Sequence, residues 1–170
     1  VREVGDPQSI IVPVTLEDEY SREFALYAQD DYTLTNELSI LVGVRYSKYN
    51  NIGPGMVVNY ANGVPKSSAT ITDTTFYEDN DVIQSYDGFE PRVSLKYSLT
   101  PSSSIKLSYN RMRQYLHTIS NTVAVNPIDI WKSSDPNIAP QLADQISAGY
   151  FRNFNDNDIE TSVELYYKSM

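Results

Sequence analysis

Six stretches of this chain alternate apolar and polar residues, and the connections between them are by turns short and long, without exception. A period of two is that of a β-strand, whose successive side chains point to opposite faces. Leu38, Ile40, Val42, Val44 and Tyr46 share one face, with Ser39, Leu41, Gly43 and Arg45 on the other. Phe89, Pro91, Val93, Leu95, Tyr97 and Leu99 alternate with Glu90, Arg92, Ser94, Lys96 and Ser98. The pattern recurs at Ile105, Leu107 and Tyr109, and again at Ile159, Thr161, Val163, Leu165 and Tyr167. The stretches Ser21–Leu34 and Gln145–Phe154 fit less cleanly, because Asp30 and Arg152 interrupt their apolar stripes. No helical period stands out. Strands are therefore expected near 21–34, 37–49, 89–99, 103–114, 143–154 and 158–170, with 1–20 as the end of a loop.

The connections sort by side. Thr33-Leu34-Thr35-Asn36-Glu37, Thr100-Pro101-Ser102-Ser103 and Asn155-Asp156-Asn157-Asp158 are tight turns of turn-forming residues. Long connections run from about Asn50 to Gly88 and from about Gln114 to Leu142. Three hairpins thus turn tightly at one end of the sheet and send long loops to the other. Outer-membrane β-barrels are built this way, with strands of about 9–11 residues, short periplasmic turns and longer external loops. A soluble β-sandwich shows the same alternation on a half-buried sheet, but has no reason to sort its loops by length. No apolar run approaches the roughly 20 residues of a transmembrane helix, so a membrane location requires a barrel. Six strands fall short of the about eight that the smallest single-chain barrel needs. The expectation is an all-β antiparallel meander forming part of a larger transmembrane barrel.

Composition narrows the function. There are 22 acidic against 13 basic residues, a net charge of -9, which argues against nucleic acid, whose phosphates call for a basic patch. Cysteine is absent, so disulfides, thiolate metal sites and cysteine nucleophiles are excluded. The chain has 14 Tyr and 5 Phe but one Trp; tyrosine suits surfaces that are dry on one side and wet on the other. In a barrel, the stripes Leu38–Tyr46 and Phe89–Leu99 face lipid, and Arg45, Glu90, Arg92 and Lys96 face the lumen. A ligand would meet the long loops, displayed on a rigid frame. The candidates there are Tyr77 and Tyr86 in the first loop, and His117, Asp129, Trp131 and Asp135 in the second. Trp131 offers a stacking surface, though an anchor for the loop against the barrel rim is the favoured reading. Glu78-Asp79-Asn80-Asp81 lacks the spacing and closing Glu of an EF-hand and reads as a solvated loop. His117 has no partner His or Cys, Gly53-Pro54-Gly55 reads as a turn, and no catalytic motif, metal site or cofactor site is found.

Several segments resemble the barrel of TonB-dependent outer-membrane receptors, particularly those of Bacteroidetes type. Phe24-Ala25-Leu26-Tyr27-Ala28-Gln29-Asp30-Asp31-Tyr32, followed by Thr33 to Leu38, is similar to a hairpin these receptors use repeatedly. Val42-Gly43-Val44-Arg45-Tyr46 resembles the end of its returning strand, and Phe89-Glu90-Pro91-Arg92-Val93-Ser94-Leu95-Lys96-Tyr97 a strand that re-enters the barrel. Ser108-Tyr109-Asn110-Arg111 and Pro140-Gln141-Leu142-Ala143-Asp144-Gln145 resemble the next hairpin and strand entry. The likeness runs from about Ser21 to the end. It implies a barrel of about 22 strands with a plugged lumen, of which this chain is a segment without the plug. It also implies import of a scarce nutrient (siderophore, cobalamin, glycan or peptide), powered by proton-motive force through TonB–ExbB–ExbD. A surface lipoprotein lid accompanies some relatives. A passive porin and a soluble β-sandwich binding or adhesion module remain the alternatives.

Overall fold

A computed structural model describes residues 18–119, 131–155 and 158–170. Six long strands form one antiparallel sheet: β1 (Tyr20–Thr33), β2 (Leu38–Ile52), β5 (Val82–Thr100), β6 (Ser103–Gln114), β9 (Gln141–Phe154) and β10 (Ile159–Ser169), in that spatial order. The order follows the chain, so the sheet is a meander. Two small hairpins complete the described structure: β3 (Gly55–Tyr60) with β4 (Ile71–Tyr77), and β7 (Leu116–Thr118) with β8 (Trp131–Ser133). Both lie at the end of the sheet opposite the short turns.

The register puts the apolar stripes of all six strands on one face. Ala28 pairs with Val44, Val44 with Pro91, and Tyr32 with Ile40; Ile40 pairs with Leu95, Leu95 with Leu107, Leu107 with Ala148, and Ala148 with Leu165. A slip of one residue anywhere would move a whole stripe to the other face. No described part of the chain covers this surface. Leu26, Val42, Val44, Phe89, Leu95, Leu107, Ile146, Val163 and Leu165 are all exposed on it. Charged residues on the face keep to its margins. Asp30 and Arg152 lie toward the short-turn ends of β1 and β9; Arg22, Lys48, Asp87, Arg111 and Asp144 lie toward the long-loop ends. Along β5 the stretch Phe89–Leu99 puts no charged residue on this face, although Asp30 of β1 stands opposite Val42. Over this stretch the intervening band has the length of about 9–11 residues that a tilted strand needs to cross a membrane.

Aromatic and ion-paired groups mark the band's long-loop edge. Tyr46 and Phe89 face each other across strands with ring centroids 5.2 Å apart. Arg111 grips Asp144 with both Nε (2.8 Å) and Nη2 (2.9 Å), while the Tyr109 hydroxyl donates to the same carboxylate at 2.7 Å. A bidentate, fully satisfied pair of this kind is what a charge needs in order to sit beside a dry surface.

One expectation needs correcting. The stretch Asn50–Gly88 is no open loop: β2 and β5 stay paired from Tyr46↔Phe89 out to Asn51↔Gln84, and β3–β4 stand beyond them. The apolar alternation stops near Gly88 while the ladder continues, because Gln84, Ser85 and Asp87 leave both faces polar. Backbone pairing persists; only the hydrophobic signature ends. At the junction Gly53 donates to the Asp81 carbonyl at 2.9 Å and accepts from Asn80 N–H at 3.2 Å. A β-carbon on Gly53 would stand 2.2 Å from the Glu78 carbonyl oxygen, so no larger residue fits. The acidic run Glu78–Asp81 is the turn packed against it, closed by Asp81 Oδ2 accepting from Glu78 N–H at 3.0 Å, with Asn80 at φ 65.

The two faces make an energetic contrast that can be measured. In the intact barrel, Leu95→Arg should lower the unfolding free energy in lipid vesicles by about 2–4 kcal/mol, whereas its neighbour Ser94→Arg should cost far less. Equal penalties at the two positions would contradict the assignment of faces.

Candidate functional site

The polar face of the sheet bears a cleft at its long-loop end. β5 and β6 pair only as far as Arg92↔Asn110, whereas β2 and β5 run on together. Past that point β6 parts from β5. Gly88, opposite Ser47 on β2, leaves a gap on the polar face, and two residues from the end of β6 fill it. A β-carbon on Gly88 would lie 2.1 Å from Nη2 of Arg113. Tyr115 reaches across to β2, where its ring stacks on Tyr49 at 4.7 Å and 5°.

Beneath the stack is a buried polar cluster. Ser47, fully buried, donates to Glu90 Oε1 at 2.7 Å and shares a 2.8 Å hydrogen bond with the Tyr115 hydroxyl. Glu90 is 3 % exposed, so Ser47 supplies one of the hydrogen bonds a sequestered carboxylate requires. The cleft above it is about 590 Å³, the size of a small-molecule site. It is lined by Glu23, Arg45, Tyr49, Arg113, Tyr115 and Trp131, with Ser21, Gln114, Leu116 and Ser133 at its margins. Arg45 Nη2 pairs with Glu23 Oε1 at 2.7 Å.

The loop residues singled out from the sequence fall into two groups. Trp131, at the start of β8, is 54 % exposed on the cleft wall, so Tyr115 rather than Trp131 supplies the aromatic packing that holds this loop down. Tyr86, His117 and Asp135 tie the loops together. Tyr86 donates to the Asp135 carbonyl at 2.8 Å; His117 Nε2 lies 3.0 Å from Ser134 Oγ; Asp135 Oδ1 accepts from the Asn137 and Ile138 amides at 2.7 and 2.8 Å. Tyr77 ends β4, paired with Gly55, outside the cleft lining. Asp129 lies outside the described residues.

Arg45, Glu90, Arg92 and Lys96 all lie on the polar face. The stem of Arg92 crosses Gly43, where a β-carbon would meet its Cγ at 2.9 Å. Lys96 stands directly opposite Lys106. Sequence reasoning missed Glu23, Tyr49, Arg113 and Tyr115: Glu23 and Tyr49 are cross-strand partners on β1 and β2, and the parting of β6 from β5 brings Arg113 and Tyr115 to them. The glycine at 88, beside the polar positions Asp87 and Glu90, was the available signal.

A further cluster fastens the β7–β8 hairpin. Lys132 Nζ bonds Glu19 and lies 3.2 Å from Asp135 Oδ2, and Glu19 also accepts from the Ser133 amide at 2.8 Å. Burial by itself pulls the Lys132 amine down, but its hydrogen bonds to Glu19 and Asp135 outweigh that and hold it above the ordinary 10.5. A raised lysine value means this contribution is complete below pH 10.5 and is lost only as pH climbs through the higher folded value. Subtilisin should therefore cut the hairpin slowly from neutral pH up to pH 10.5, and faster only as pH climbs through the higher folded value. Lys132→Met, which leaves two facing carboxylates, should give fast cutting already at pH 8. Unchanged cutting of that variant would remove the role assigned to the cluster.

An open meander with one exposed apolar face, one polar face and loops sorted by length is the architecture of a wall segment of an outer-membrane barrel. Comparison of the sequence with family models agrees: residues 4–170 match the TonB dependent receptor-like, beta-barrel family. The chain belongs to that family, whose members are outer-membrane transport proteins rather than enzymes and work with TonB. No curated protein and no solved structure gives a match.

Proposed function

We propose that this chain forms part of the wall of an active importer, a multi-pass barrel that takes up a scarce nutrient with proton-motive force delivered through TonB–ExbB–ExbD. In this reading the apolar face meets lipid, and Arg45, Glu90, Arg92 and Lys96 face the lumen, toward a plug or water. The long-loop end faces the outside, and the cleft beneath β7–β8 is where the ligand first meets the wall. The observation that carries the reading is the apolar band, bare on one face of a six-stranded sheet whose polar face is held by ion pairs and hydroxyls. A soluble sandwich would bury that band against a second sheet. In a membrane the same surface faces lipid at no cost, while the free edges of β1 and β10 require neighbouring strands. A surface lipoprotein partner is compatible with the outward loops but has no contact assigned to it.

The alternative from the same membrane class is a passive porin, and conductance separates the two. Native full-length protein in a planar bilayer should stay electrically closed, and should cross-link to TonB in cells. A steady open-channel current from the untreated protein, with no TonB adduct, would favour the porin.

A further inference from the structure

The cleft carries a cation that the described structure leaves without a partner. Glu23 is engaged by Arg45, and Glu19 by Lys132. Glu90 lies buried beneath the cleft. No carboxylate among the described residues comes within ion-pair distance of Arg113, and its Nε is shielded from water without a hydrogen-bond acceptor. Leaving such a group unmet is costly, and more so for a charged donor. The hydroxyl of Tyr49, a residue 3 % exposed, is likewise buried with no partner among the described residues, and it lines the same cleft. A solvated surface arginine shows neither feature.

Both atoms are out of reach of a ligand, as they are of water, so what the cleft offers is the remainder of the Arg113 guanidinium. A guanidinium is a planar fork that fits a carboxylate or phosphate through two parallel hydrogen bonds. The half-exposed Trp131 lines the same cleft, and an indole ring can receive a sugar or aromatic ring. Gly88 is integral to the arrangement, since any side chain there would occupy the space of the guanidinium. Glu23 and Arg45 cancel each other, so Arg113 is the unpaired charge among the described lining residues, with the buried Glu90 beneath them.

We propose that this cleft selects a ring-bearing organic anion, with its acidic group held by Arg113 and its ring against Trp131. The proposal rests on the reading of this face as the lumen side of an importer, and it adds the class of ligand.

The test uses the full-length receptor in detergent micelles and calorimetric titration with matched acids and neutral counterparts: trigalacturonate against its trimethyl ester, and salicylate against salicylamide. The expected result is that an acid binds about tenfold or more tightly than its neutral partner, with an advantage that shrinks as salt rises. Arg113→Gln should abolish that preference while leaving the neutral compound's affinity in place. Arg113→Lys should keep an intermediate preference, because the charge remains but the fork is lost. Gly88→Ala, which displaces the guanidinium without removing it, should reproduce the Arg113→Gln loss. Equal binding of acids and neutral partners, no binding of either acid, or a preference that survives Arg113→Gln would each overturn the proposal. Failure of the importer reading shows separately, as an open conductance or as protein that is soluble without detergent.

Discussion

Backbone hydrogen bonding is the constraint from which the rest of this structure follows. In hydrocarbon no water meets an amide or a carbonyl, so every strand crossing it must be paired along its length, at several kcal/mol for each group left unmet. The ladders β1–β2, β2–β5, β6–β9 and β9–β10 run unbroken along the apolar band, and β5–β6 does so from Arg92 to Ser98. The first register shift in β2–β5 comes beyond the band, at Asn51/Ile52, and that of β5–β6 at the band's short-turn end, at Ser98/Thr100. With pairing fixed, alternation decides the faces, and side-chain chemistry needs only to be apolar on one and polar on the other.

Outside the band that constraint relaxes, and the structure changes character at one residue. β5 and β6 hold a common frame as far as Arg92↔Asn110. Beyond it β6 parts from β5, and at Gly88 the lack of a side chain leaves room for Arg113, with Tyr115 reaching across to Tyr49. The β7–β8 hairpin then lies over the polar face, fastened by Lys132 between Glu19 and Asp135 and by the Ser134 amide on the Tyr115 carbonyl at 2.7 Å. The cleft is a consequence of strands diverging where they no longer need to be continuous. A rigid paired wall thus presents a locally irregular surface toward the lumen, which is where a ligand can be distinguished.

How much of this was legible in the sequence follows from the same physics. The stripes Leu38–Tyr46 and Phe89–Leu99 were readable because a surface that is dry on one side imposes a period of two. The outer halves of β2 and β5 were not, because Asn50, Asn51, Gln84 and Ser85 sit where both faces are wet and the ladder leaves no hydrophobic trace. Asp30 and Arg152 looked like faults in their stripes and prove to lie toward the short-turn ends, where Arg152 covers the Phe154 ring at 4.7 Å. Trp131 was conspicuous as the single tryptophan, and its place on the cleft wall fits that prominence. Arg113 and Tyr49 were invisible as a pair, since their proximity depends on a glycine on a third strand.

The central claim is that one face of this sheet meets lipid and the other water, and alternation along β5 tests it most directly. These 170 residues have no cysteine, so single cysteines from Phe89 to Leu99 can be spin-labelled one at a time in the full-length barrel, with any cysteine elsewhere replaced by serine, reconstituted in vesicles. Collision rates with oxygen, which concentrates in lipid, and with a water-soluble nickel chelate should then alternate with a period of two. Val93, Leu95 and Tyr97 should favour oxygen, and Arg92, Ser94 and Lys96 should not. Labels at Val93 and Leu95 that met neither probe, as in a packed protein core, would contradict the account.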